Sequence, residues 1–142
     1  MGALSIQPVS RSATYSANRD WLASLHGTDQ TETITLDLSK FTANTHYFAS
    51  TDPDQPYSRV VSGIPVGKIT ASGLFAPWNP AASDGTQILA GLVFAEALFA
   101  PGVTKVPAAL LWHGVVKASK VPGGIDTTKV TWSPTGAQIR FV

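Results

Sequence analysis

Ser83, Asp84 and His113 are the residue types of a nucleophile, an orienting acid and a base, and hydrolysis by such a set requires the three in contact. The local sequence points elsewhere. Ser83-Asp84-Gly85 is turn composition, in which an aspartate bonds its own backbone two residues on and a glycine supplies positive φ. No Gly-x-Ser-x-Gly elbow occurs. The expectation is a structural turn at Ser83, Asp84 and Gly85, with no catalytic residue. His26, His46 and His113 are the only histidines, with no His-x-His or His-x-x-x-His spacing, so no metal site is predicted. Glu96 lies inside an apolar run. A carboxylate there could be an acid of raised pKa; more often such a residue is the exposed member of a strand or helix face, or an interface salt-bridge partner. Two carboxylates across a cleft, as a glycosidase needs, have few candidates in the part of the chain expected to fold, where only Asp84, Glu96 and Asp126 are acidic. Gly67-Lys68 is followed by Ile rather than a hydroxyl residue, so no phosphate loop is present. No cofactor is expected.

The four tryptophans, Trp21, Trp78, Trp112 and Trp132, could stack on sugars. Strand positions favour Trp112 and Trp132 as core residues instead. Trp78, in Phe75-Ala-Pro-Trp78, has the character of an interface anchor, because tryptophan is enriched at binding hot spots. Phe75, Pro77 and Trp78 are accordingly the predicted interface between copies of the chain.

Composition narrows the function classes further. Charged residues are 13% of 142, about half the usual share of a soluble protein, so the surface is covered by uncharged polar groups or by partners. Net charge is +1, which gives no electrostatic case for nucleic acid or membrane binding. Residues 1–59 sum to −2 and residues 60–142 to +3, a mild asymmetry. No cysteine is present, which excludes disulfides, thiolate metal sites and cysteine nucleophiles. Met1–Pro8 has neither a basic segment nor a long apolar run, so no secretion signal is predicted. The apolar stretch Ile88–Ala100 is interrupted by Glu96 and closed by Pro101-Gly102, short of the ~20 residues of a membrane helix.

The elements that would position these residues are short. Asp20–Leu25 predicts a helical turn or two. Thr33–Leu38 alternates strictly, with Ile34, Leu36 and Leu38 on one side and Thr33, Thr35 and Asp37 on the other, which predicts a half-buried strand. The stretch 51–56 is turn-forming. Beyond it, Val60–Ile64 and Val66–Ala71 predict strands broken at Pro65. Gln87 to about Phe94 predicts a buried strand, and Pro107–Val116 a strand bulged at Gly114. Lys129–Trp132 and Gln138–Val142 predict short closing strands. Many short strands between turn signals indicate a mainly β fold, a small sandwich or barrel-like (β-tulip-like) domain. Residues 1–58 are polar and poor in large aliphatics, and predict an extended N-terminal arm and linker before a β-rich domain at 59–142.

Lys68–Trp78, then Ser83-Asp-Gly-Thr86, then Ala90-Gly-Leu-Val93 resemble the lambda-like head decoration proteins of tailed phages. The order and spacing of these short motifs carry the resemblance, over about residues 64–118. It implies a non-enzymatic virion protein on the capsid exterior, present in the host cytoplasm during assembly. It implies trimers at local three-fold sites of the expanded head, stabilising it against DNA pressure, with the N-terminal arm bound to the major capsid protein. The partners expected are the major capsid protein and the chain itself as a homotrimer, with no direct nucleic acid and no membrane. An alternating strand in a segment without its own core suits addition to a partner's sheet edge, which makes Thr33, Ile34, Thr35, Leu36, Asp37 and Leu38 the predicted capsid-binding residues. The alternatives are another virion part, associated with tail or fibre, and a carbohydrate-binding module.

Overall fold

The computed structural model describes residues 19–49 and 57–142. Alternation of apolar and polar residues sets the first strand, β1 (Glu32–Asp37), whose inward side chains Ile34 and Leu36 are buried. It runs antiparallel to β8 (Lys105–Leu111) over six pairs, from Glu32↔Leu110 to Asp37↔Lys105. On its other side it meets β5 (Phe75–Pro77) in parallel at Leu36↔Phe75. β4 (Pro65–Lys68) and β6 (Gly91–Val93) complete a closed five-stranded barrel in the order β1-β5-β4-β6-β8. Closure leaves no unpaired edge in this sheet.

Two small sheets flank the barrel. β2 (Tyr47–Phe48), β3 (Ser58–Val60) and β7 (Ala97–Phe99) form an antiparallel sheet with β3 in the centre. β9 (His113–Val116) and β10 (Gln138–Phe141) pair in parallel.

The barrel wall separates two apolar cores. Val93 and Leu110 join Ile34, Leu36, Leu38, Phe41, Val60, Ile64, Val66 and Val106 in the first. Their chain neighbours Leu92 and Leu111 join Trp21, Leu89, Val116, Val121 and Ile139 in the second. Successive strand residues point to opposite faces, so β6 and the end of β8 are covered on both sides. This is why their sequences read as unbroken apolar runs rather than alternations.

Several expectations change. The strand assigned to the arm is a barrel strand: Ile34, Leu36 and Leu38 have a core of their own chain to enter. No boundary falls at 58/59 among the described residues, because Trp21, β1 and Phe41 pack into the same two cores as later residues. The arm expectation is left with residues 1–18, which, like 50–56, lie outside the described residues. Asp20–Leu25 is not a helix. Ala23 N–H donates to Val115 O (3.0 Å), Lys117 N–H donates to Trp21 O (2.7 Å), and Leu22 bridges Val116. The exposed edge of β9 takes the backbone groups that a helical turn would have used.

The remaining differences are local. The strand expected from Gln87 to Phe94 is confined to β6, and the segments expected at 60–64 and 66–71 reduce to β3 and β4. Pro65 opens β4, where its missing N–H is tolerated. In Pro107–Val116 the interruption is at Trp112, between β8 and β9, rather than at Gly114. The strand expected at Lys129–Trp132 reduces to a single bridge from Thr131 to Ile88, and Lys129 closes a 3₁₀ turn (Thr127–Lys129) capped by Asp126.

Candidate functional site

Three aspartates repeat one local device. Asp37, Asp84 and Asp126 each accept, through Oδ1, the backbone N–H and the hydroxyl of the Ser or Thr two residues on. The distances are 3.1 and 2.6 Å to Ser39, 3.1 and 2.6 Å to Thr86, and 3.0 and 2.6 Å to Thr128. The Thr86 hydroxyl first, then its N–H, holds the Asp84 carboxyl below the ordinary carboxylate range, and Thr128 does the same to Asp126. A carboxylate occupied in this way stays ionised and supports a turn.

Ser83, Asp84 and Gly85 thus lie in a turn against β4. Gly85 has φ +111°, and a Cβ there would stand 2.4 Å from Lys68 O. His113 has different neighbours: its ring lies 4.8 Å from that of His26, edge to face, and 5.4 Å from Trp112. The structure therefore does not assemble Ser83, Asp84 and His113 into a hydrogen-bonded relay. Among the described residues, no group of three or more His, Cys, Asp or Glu side chains lies close enough to hold a metal.

Glu96 is an ion-pair partner. Its Oε2 lies 3.6 Å from an Arg59 guanidinium nitrogen, with the Glu96 side chain 10% exposed and Arg59 39%. Arg59 is central in a row that the sequence did not flag. Phe48 pairs with Arg59 across β2–β3, and Arg59 with Leu98 across β3–β7. The three share the outward face of that sheet, with Phe48 37% and Leu98 47% exposed, and Tyr57 is exposed at the start of β3. The signal was present as outward apolar residues in two- and three-residue strands, too short for a period to register.

The residues predicted as an interface between copies divide between two hollows. Phe75 is half-buried against the barrel core and lines a cavity with Trp112, Glu32 and Lys68. Pro77 and Trp78 line a separate cavity of about 190 Å³ with His46, Ile64 and Pro122. Trp78 Nε1–H donates to Gln87 O at 3.0 Å, which fixes the ring. His46 Nδ1 accepts the Thr42 N–H at 2.9 Å, and burial lowers the His46 pKa. The tryptophan expectation reverses in part: Trp21 is the core residue at 1% exposure, its Nε1–H donating to Ser62 Oγ, whereas Trp132 is 49% exposed and Trp112 half-buried.

The described residues therefore present apolar rows, fixed aromatic rings and, at Asp37, Asp84, Asp126 and Glu96, carboxylates committed to turns and an ion pair, a surface suited to contact. No curated protein and no solved structure matches the chain. A model of the family HDPD, bacteriophage lambda head decoration protein D, matches residues 29–131, a span that takes in the whole barrel from β1 to β8, together with β2, β3, β7 and β9. The chain belongs to the bacteriophage lambda head decoration protein D family.

Proposed function

We propose that this chain decorates the outside of a tailed-phage head as a trimer at local three-fold sites of the expanded shell, stabilising it against the pressure of packaged DNA. The observation that carries the reading is the family match from Asp29 to Thr131. The chain's physical character supports it. A polypeptide with 13% charged residues that leaves Phe48, Leu98, Tyr57 and Trp132 exposed suits burial against neighbours. Its partners are the major capsid protein and two further copies of itself, and it acts without catalysis.

The Thr33–Leu38 strand is already paired on both sides and has no edge to lend to another sheet. The capsid contact expected of the N-terminal arm is assigned to residues 1–18. Three such segments per trimer raise avidity without any new type of contact. Electron cryomicroscopy of expanded empty shells mixed with the chain tests the reading. Trimeric density at local three-folds is the expected result; density confined to tails or fibres, or none on the shell, overturns it.

A further inference from the structure

The mouth of the barrel, where β1, β5 and β10 begin and β4 ends, holds a groove of two connected lobes. One lobe, of about 330 Å³, is lined by Glu32, Lys68, Phe75, Trp112, Thr135 and Gln138 among others. A second, of about 270 Å³, continues from it past Thr70 and Ser133, and the two share Lys68, Ala90, Thr135 and Gly136. The first lobe lies at the lower end of the volumes usual for small-ligand sites, and barrel mouths are among their preferred places.

The floor is small, with Ala90 and Gly136; a Cβ on Gly136 would come 2.9 Å from Leu89 O. One wall is aromatic. Trp112 donates its Nε1–H to Gln30 O and lies against His113, so its ring is fixed before any ligand arrives. The rim is polar and uncommitted: the Glu32 carboxylate, the Lys68 ammonium and the Gln138 amide make no hydrogen bond or ion pair with another described residue.

These features select a ligand class. Glu32 and Lys68 cancel in charge, which disfavours an anion such as a phosphate or a nucleic acid. The barrel strands lining the groove belong to a closed sheet, and among the described strands there only the short β10 presents an edge, which leaves an extended peptide little main-chain ladder to join. A carboxylate, an amide and an ammonium together accept from and donate to hydroxyls. A fixed indole face attracts the weakly positive C–H face of a pyranose through its quadrupole. We propose that the barrel mouth binds a neutral oligosaccharide, one pyranose ring stacked on Trp112 and its hydroxyls bonded to Glu32, Gln138 and Lys68, with further units running toward Thr70. The inference is independent of capsid decoration.

The test is nuclear magnetic resonance titration of the full chain with cellohexaose, maltohexaose and chitohexaose, with hexagalacturonate as the anionic control. Glu32→Ala/Gln138→Ala, which alters two exposed side chains, is compared with the unmodified chain. At least one neutral hexaose is expected to shift the Trp112 indole N–H and the Lys68 and Gln138 amides, and to bind the double variant at least about tenfold more weakly. Three results overturn the proposal: no shift of those signals with any neutral hexaose up to ~10 mM, tighter binding of hexagalacturonate, or unchanged affinity in the folded double variant.

Discussion

Leu36→Ala separates the barrel role of β1 from a free-arm role. Leu36 is fully buried, pairs with Val106 on β8 and Phe75 on β5, and belongs to the first apolar core. Truncating a buried leucine to alanine removes its transfer free energy and leaves a cavity, about 2–5 kcal/mol in all. Thr35→Ala, one residue along on the partly exposed face, should fall within about 0.5 kcal/mol of the parent. Guanidinium unfolding at fixed protomer concentration reads both. The denaturant midpoint of Leu36→Ala should fall with its slope unchanged, and its Tm should drop on the order of 10 °C. If Leu36→Ala unfolds like the parent in isolation and differs only in capsid binding, the strand is not a barrel member and the account of β1 fails.

Three further outcomes follow from the geometry. Gly85→Ala combines positive φ with a Cβ 2.4 Å from Lys68 O, whereas Gly73 has φ +75° and nothing within 4 Å of its Cβ; Gly73→Ala should cost about 1 kcal/mol and Gly85→Ala clearly more, as thermal denaturation will show. Burial lowers the His46 pKa below 6.5, so the unfolded chain takes up that proton first. Stability from His46 is complete above pH ~6.5 and is lost as pH falls through its folded value; Tm should fall as pH is lowered through that window, and His46→Gln should flatten the dependence. The contributions of Asp84 and Asp126, whose pKa values are also lowered, are lost only at more acidic pH, below the ordinary carboxylate range. Removing residues 1–18 should leave the near-ultraviolet circular dichroism of Trp21 and the barrel intact, since among the described residues both cores already close, while shell binding measured by sedimentation disappears.

How much of this was legible depended on the length of each signal. The period-two pattern of Thr33–Leu38 gave the strand and its inward face, but not its partner. Pairing with β8 joins residues about seventy positions apart, and nothing local encodes that. Polar composition before residue 58 suggested an arm because the apolar residues there are sparse; Trp21, Ile34, Leu36, Leu38 and Phe41 suffice because they enter cores supplied mostly by later strands. The Ser83–Gly85 turn was readable from chemistry alone, since an Asp-x-Thr bond closes within three residues. The groove at the barrel mouth was not readable. Glu32, Lys68, Trp112 and Gln138 come from four separate segments that only the packing of the β9–β10 sheet against the barrel brings together.

The most direct measurement is a binding titration of the full chain against purified empty heads before and after expansion. Saturable binding to expanded shells, at a stoichiometry of three chains per local three-fold, with little binding to unexpanded shells, is the predicted result. Equal binding to both forms, or none to either, would contradict a role in reinforcing the mature head.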